Sequence, residues 1–350
     1  MLGLFNPLPT RNYPVRFEGY DLSPIGISIP DKAPLYFEMR QRYTFHKIRL
    51  SIYQGFSIKR TQKPSKDLFE NDQITKRMYL SGMNEDYPKL LKYAVEAASN
   101  AALAISQVKA KGYQTNYKAD ASPVTEADLA AHNAIKEVLQ KLPFPLLSEE
   151  GALPEYDERK SWNTYWSIDP LDGTKEFVRG SVEYTVNIAL IVNQKPVAGV
   201  IILPETQNCT WGGPNIGLFC SKNLPNIDEL FDDKYRLQQN EFPEVFTAVV
   251  SRAHLNSKTK YYLSKLEEKH EVIKTRRAGS STKFIALAKQ KAHIYPRFSP
   301  CMEWDTAAGH ALLLATDQDI ISLETNKSLK YNRESLYNPP FIAGKTEFYL

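Results

Sequence analysis

Cysteine is scarce in this 350-residue chain: Cys209, Cys220 and Cys301 are odd in number, and no two stand at CxxC spacing. Such a set builds neither a disulfide framework nor a cysteine zinc site, so a reducing compartment is the default. Glycine is sparse as well, at 16 residues, and no repeat or low-complexity tract appears, which excludes collagenous and solenoid architectures. Long apolar runs are missing. Stretches such as Val186–Val192 are strand-sized, well short of the roughly 18–20 residues that a membrane span needs. The N-terminus, MLGLFNPLPTRNYP, lacks the basic n-region and long apolar h-region of a secretory signal. Glu18, Asp21 and Asp31 do not fit an acid-poor transit peptide. A cytoplasmic protein is expected, with organellar targeting by the N-terminal extension left open.

Net charge is small, +4, but unevenly placed. Residues 1–86 hold 13 Lys/Arg against 9 Asp/Glu, which leaves 31 of each sign over 87–350. Most of the excess lies between Arg40 and Lys66, with eight cations and no acid. Prolines at 7, 9, 14, 24, 30 and 34 break the candidate elements of the first forty positions. Residues 1–86 therefore read as a basic, proline-rich extension of unknown role, partly ordered at most. Within it Arg40–Ser57 alternates loosely and could pair as two strands. The cations interleaved with Tyr43, Phe45, Tyr53 and Phe56 suit RNA or anionic lipid, while a solvated tail or an erroneous gene start is the plainer and favoured reading.

Residues 87–345 read as one domain with an ordinary core; the whole chain is 42% apolar and 24% charged. Leu90, Leu91, Ala94, Val95, Ala98, Ala102 and Ile105 repeat at helical spacing after Pro88, with Asp86 or Tyr87 as cap. Thr125-Glu-Ala-Asp128 resembles a capping box before a second helix. Strands are predicted at Tyr165–Asp169, Thr185–Val192, Val197–Leu203, Thr247–Ser251 and His293–Arg297. Helices are predicted near Lys258–Glu268, Ser281–Lys289 and Asp305–Ala315. The mixture is that of an α/β (α+β) layered sandwich.

The chemistry concentrates in Asp169-Pro-Leu-Asp172-Gly-Thr174. Two carboxylates and the Leu171 carbonyl follow a strand, where Pro170 and Gly173 favour a tight turn aiming them at one point. An all-oxygen site of this kind suits a hard divalent cation, and an Asx turn capping backbone N–H groups is the plainer alternative. EF-hand spacing is absent, as are the GxSxG elbow, the Walker loop and GxGxxG. Ser148-Glu149-Glu150-Gly151 ends another apolar stretch, and Glu303-Trp304-Asp305-Thr-Ala-Ala-Gly309 starts an apolar helix. Taken singly, Glu149 fits a solvated loop acid and Asp305 an N-cap.

DPLDGT, the upstream acid pair and the downstream WDTAAG together resemble the signature of the inositol monophosphatase-like superfamily, which shares its fold with fructose-1,6-bisphosphatase. Further blocks, SPVTEADLAAHNAI, LLSEE, DPLDGTKEF, TVNIALI, SRAH, GSSTKF, YPRF and WDTAAGHA, resemble the 3'(2'),5'-bisphosphate nucleotidases of the CysQ type. The resemblance spans about residues 88–343 and leaves out 1–86. Gly151-Ala152 after the Glu pair, a compressed 210–219 stretch and Cys301-Met302 depart from the usual pattern.

The resemblance implies metal ligation by Glu149, Asp169, the Leu171 carbonyl, Asp172 and Asp305, with two or three Mg²⁺ ions. It implies that Asp128 and Thr174 orient and deprotonate the attacking water, in direct hydrolysis without a phospho-enzyme. The N–H groups of a helix opening at Gly173 and Thr174 would bind phosphate oxygens. Substrate contacts are implied for Glu149, Leu171, Asp172, Gly173, Thr174, His254, Ser280, Ser281, Lys283, Arg297 and Asp305, with Arg252 in a similar block. Plainer roles stay open: Asp128 as capping-box acid, Thr174 as helix cap, Lys283 on a solvated face, Arg297 at a strand end. The implied activity is removal of the 3'-phosphate of adenosine 3',5'-bisphosphate and 3'-phosphoadenosine 5'-phosphosulfate, sensitive to Li⁺. An inositol mono- or polyphosphate phosphatase and a catalytically silent binding protein are the alternatives. The partner is a small nucleotide, with no nucleic acid expected for the catalytic domain. A monomer or homodimer is expected.

Overall fold

The structure is a computed structural model that describes residues 87–117, 123–252 and 255–350, with four two-residue strands among the first 30 positions. Thr10–Arg11 pairs with Ile29–Pro30, and Arg16–Phe17 with Tyr20–Asp21. The prolines therefore permit short pairs there; Pro30 ends its strand, where a missing N–H is tolerated. The expected strand pair at Arg40–Ser57 lies outside the described residues. The chain divides into two units, Met1–Gln73 and Ile74–Leu350.

The second unit opens with α1 (Tyr87–Lys111), a hairpin of β1 (Thr115–Tyr117) and β2 (Pro123–Thr125), and α2 (Glu126–Leu139). The seven apolar residues read as one face of α1 are all buried. The capping signal before α2 is realised: the Ala127 N–H donates to Thr125 Oγ1 at 3.1 Å, and the Thr125 N–H to Asp128 Oδ2 at 2.7 Å.

Next come β3 (Leu146–Ser148), the short α3 (Tyr156–Arg159), β4 (Thr164–Asp172), α4 (Thr174–Val178), β5 (Thr185–Val192), β6 (Lys195–Leu203), β7 (Asn208–Gly213) and β8 (Gly217–Ser221). The six strands form one sheet in the order β8-β7-β6-β5-β4-β3, parallel only at β3–β4. The stretch at 210–219 is a tight hairpin whose turn residue Asn215 has φ +66°.

A second six-stranded sheet has the order β10-β9-β11-β14-β12-β13. Its strands are β9 (Phe246–Ser251), β10 (Ile273–Ala278), β11 (Ile294–Arg297), β12 (Asp319–Ser322), β13 (Lys327–Ser328) and β14 (Phe341–Gly344). Between them run α5 (Ser257–His270), α6 (Thr282–Ala288) and α7 (Trp304–Leu314).

Three apolar clusters define five layers. Val186, Ile188, Leu190 and Val192 of β5 pack with α1 and α2, whereas Ala189 and Ile191 face α6, α7 and the second sheet. The outer face of that sheet, through Ala248, Val250 and Ile342, packs on Leu263 and Leu266 of α5. Burial on both faces is why β5 reads as a nearly unbroken apolar run.

One element differs from its expectation in a way that matters. β4 does not stop at Asp169; it continues through Pro170 to Asp172, and the turn falls at Gly173, with φ +96°. Asp169 pairs with Asn187 and Asp172 with Thr185, three steps against two, so a bulge absorbs the extra residue. Pro170 has no N–H for the ladder, and a bulge is where a strand accommodates that loss. In a regular strand, side chains three apart face opposite sides. The bulge cancels this and lets both aspartates face one point.

α7 approaches its neighbours closely, and glycine makes that possible. A Cβ on Gly309 would lie 2.3 Å from the Phe284 ring of α6, a buried group with no room to yield. Gly309→Ala is expected to cost about 1–3 kcal/mol through overpacking. Thermal unfolding by circular dichroism should show Tm lowered by roughly 3–10 °C; an unchanged Tm would contradict this account of α6–α7 packing.

Candidate active site

Three carboxylates converge where the end of β4 meets the start of α7. Oxygens of Asp169, Asp172 and Asp305 all lie within 4.8 Å of one another. Asp169 is 1% exposed. Its Oδ1 accepts the Leu171 N–H at 3.1 Å, while its Oδ2 is buried with no hydrogen-bond partner among the described residues. Asp305 Oδ2 accepts the Met302 N–H at 2.8 Å, which ties the acid back to the residue just before the N-cap of its helix. The N-cap position itself belongs to Glu303. The Glu303 carboxylate turns away from the site and takes the N–H groups of Asn332 and Arg333 at 2.7 and 3.1 Å.

The electrostatics follow from that crowding. Burial, then Glu149, Asp172, Asp305 and Asp128, push the Asp169 carboxyl well above the usual carboxylate range. Burial and Asp172 bring Asp305 up to about 7, against the pull of Arg297. Glu149 raises both, so it belongs to the same acidic group; its N–H bonds the Ile168 carbonyl at 3.2 Å, across the β3–β4 edge. Acids so close together, Asp169 buried and Asp172 and Asp305 half-buried, do not all ionise readily without a counter-charge. An orphaned carboxylate oxygen inside an all-oxygen group is a fitting ligand for a hard divalent cation.

A second constellation adjoins the first. Thr174 Oγ1 donates to Asp128 Oδ1 at 2.9 Å and lies 3.3 Å from the Leu171 carbonyl oxygen. Asp128 Oδ2 is held by the Thr125 N–H and hydroxyl, both at 2.7 Å. The capping role and the site role of Asp128 therefore coexist, one on each oxygen. Gly173 sits as the left-handed N-cap of the five-residue α4, directly before Thr174.

Asp172 is fixed by hydroxyls. Ser280 Oγ donates to its Oδ2 at 2.8 Å, Ser281 Oγ lies 3.1 Å away, and Asn187 Nδ2 reaches it at 3.4 Å. Thr185 Oγ1 bonds Ser280 Oγ at 2.6 Å, and Asn187 Nδ2 donates to Ser281 Oγ at 3.0 Å. Thr185 and Asn187 escaped the sequence reading, which took β5 as an apolar strand. Their signal is polar residues at period two inside a buried strand, where each needs a partner.

Lys283 is buried, 3% exposed, so a solvated helix face is excluded for it. Its Nζ donates to the Ser280 carbonyl and lies 5.4 Å from the centre of the Tyr295 ring. Burial brings its pKa down to about 8, although Asp172 pulls the other way. Arg297 spends its guanidinium on Tyr295 Oη, Ser299 O and Pro300 O at 2.9, 3.2 and 3.1 Å, and its charge is still felt by Asp305. Arg252 is half exposed at the end of β9. His254 lies outside the described residues.

The profile of the inositol monophosphatase family matches residues 86–332. The chain belongs to the inositol monophosphatase family. It is a phosphatase of that metal-dependent family, acting on small molecules. It is 39% identical over 257 residues to 3'(2'),5'-bisphosphate nucleotidase CysQ of Salmonella typhimurium, covering 72% of this chain and 98% of that protein. Identity to the Escherichia coli O157:H7 CysQ is 40% over the same length. The crystal structure of CysQ from Bacteroides thetaiotaomicron superposes with a TM-score of 0.68 at 37% identity, covering 75% of this chain and 99% of that one. An inositol monophosphatase from Anabaena shares the fold at 20% identity, with a TM-score of 0.54 over 73% of this chain and 90% of that one. Among the described residues no helix is long and apolar enough to cross a membrane.

The raised carboxyls have a consequence for stability. Asp305 has an ordinary value of 3.8 and sits at about 7 in the fold, so its contribution is complete below pH 4 and is lost as pH rises through 7. Without divalent cations, Tm should fall between pH 5 and 8, and fall less in Asp305→Asn. Glu303 titrates in the same window in both proteins, so the difference reads Asp305 together with the part of the Asp169 shift that Asp305 causes. Equal slopes in a pH series of melting curves would contradict the assignment.

Proposed function

We propose that the protein is a Mg²⁺-dependent 3'(2'),5'-bisphosphate nucleotidase that removes the 3'-phosphate of adenosine 3',5'-bisphosphate and of 3'-phosphoadenosine 5'-phosphosulfate. The observation that carries the chemistry is the carboxylate trio with its orphaned Asp169 oxygen. The nucleotide specificity is carried over from the CysQ relatives, which the chain matches over 98% of their length.

In this reading Glu149, Asp169, Asp172, Asp305 and the Leu171 carbonyl hold two or three Mg²⁺ ions. The ions supply Lewis acidity and charge neutralisation at the phosphoryl group. The chain's own residues do the rest. The Thr174 hydroxyl already gives its proton to Asp128, so its lone pairs are free to accept a hydrogen bond from a water molecule. That geometry orients the water and gives its proton a path through Thr174 Oγ1 to Asp128 Oδ1. Asp128 is held at its other oxygen and does not swing during the transfer. Ser280 and Ser281 keep Asp172 in one orientation. Arg252 and the buried Lys283 supply the positive charge that a second phosphate requires, which an inositol monophosphate does not carry.

Steady-state kinetics with Mg²⁺ on adenosine 3',5'-bisphosphate and inositol 1-phosphate tests the specificity. Two lost charge-assisted contacts make at least about a hundredfold difference in kcat/KM. Adenosine 3',5'-bisphosphate should be preferred by that margin, and a preference for the inositol ester would overturn the reading.

A further inference from the structure

Glu183 lies outside every motif of the site, yet its carboxylate sits where two parts of the site meet. Its Oε2 accepts the Gly279 N–H at 2.7 Å and the Arg252 guanidinium at 2.7 Å. Two residues on, Thr185 bonds Ser280, and two further, Asn187 bonds Ser281. Thr185 and Asn187 share one face of β5, Glu183 stands two residues before the strand, and the three meet Gly279, Ser280 and Ser281 in order. The segment they hold is the one whose hydroxyls grip Asp172.

That segment needs holding. Ser280 adopts φ +49°, a left-handed conformation that a residue with a Cβ adopts at a cost. Gly279 approaches so closely that a Cβ there would lie 3.1 Å from Glu183 Oε2 and 3.2 Å from the Glu183 carbonyl oxygen. Gly173, the turn after Asp172, is also backed by the Glu183 carbonyl, at 3.4 Å from its would-be Cβ. Glu183 thus touches both chain segments that flank the Asp172 carboxylate. It also spans the two sheets, since it precedes β5 of one and bonds the ends of β9 and β10 of the other.

We propose that Glu183 is a positioning residue: it clamps the Gly279–Ser281 segment onto Asp172 and, through the same oxygen, fixes Arg252 at the mouth of the site. Metal affinity and substrate binding are therefore coupled through one carboxylate that touches neither metal nor substrate. The substrate half of this inference rests on the nucleotidase reading; the metal half does not.

Glu183→Ala removes both contacts. Partners that orient a ligand from behind typically change metal affinity by about 10–100-fold, and a loss of about tenfold is expected here for Mn²⁺ measured by electron paramagnetic resonance, with a similar fall in kcat. Glu183→Gln keeps an acceptor for the Gly279 N–H and loses the charge facing Arg252. It should hold Mn²⁺ within about threefold of the parent while KM for adenosine 3',5'-bisphosphate rises about fivefold or more. Glu183→Asp is the second variant should the alanine form fail to fold: one methylene shorter, it no longer reaches both donors and should weaken Mn²⁺ as alanine does. Parental Mn²⁺ affinity in Glu183→Ala or Glu183→Asp, or equal loss in Glu183→Gln and Glu183→Ala, would overturn the proposal. Mn²⁺ affinity makes no reference to the substrate, so failure of the nucleotidase reading leaves this test standing.

Discussion

Mutual repulsion among crowded carboxylates, one buried and two half-buried, is the constraint around which the rest of the site is organised. Asp169, Asp172 and Asp305 come from a strand end and a helix start that are distant in sequence, and they meet within 4.8 Å. Such a group is unfavourable in a folded chain unless protons or cations neutralise it. The fold meets the cost with two strong devices. One is the doubly covered sheet carrying β4 and β5, whose apolar faces pack between helices on one side and α7 on the other. The other is the tight seating of α7, where Gly309 allows the Phe284 ring to lie against the helix backbone.

Around the carboxylates the polar groups divide their labour. Asp128 uses one oxygen to start α2 and the other to hold Thr174. Ser280 and Ser281 fix Asp172, and Thr185 and Asn187 fix the two serines. Lys283, buried beside them, counters part of the negative charge from behind while its ammonium is tied to the Ser280 carbonyl. The small net charge of the chain therefore says little about its site. What counts is where the individual acids and the buried Lys283 are placed.

Much of this was legible in the sequence because it depends on local chemistry. The capping box at Thr125, the helical face of α1 and the apolar runs of β5 and β6 each follow from periodicity or from a short-range hydrogen bond. The acids were legible as a set because their flanking residues are distinctive. Three features were not. The β4 bulge arises from pairing with β5, so Asp169-Pro-Leu-Asp172 reads as a turn when taken alone. The burial of Lys283 is set by α6 packing between sheets, whereas its sequence neighbours fit a surface helix equally well. Glu183, Thr185 and Asn187 matter through contacts about a hundred positions away, which no local pattern reveals.

The central claim is that the acidic group holds protons until a cation displaces them. Isothermal titration of the full chain with Mg²⁺ at pH 7, in two buffers of different ionisation enthalpy, reads this directly. With Asp305 at about 7 and Asp169 held well above the usual carboxylate range, binding should release on the order of half a proton or more, and less as pH is raised to 9. Mg²⁺ binding with no proton released anywhere between pH 6 and 8 would contradict the account.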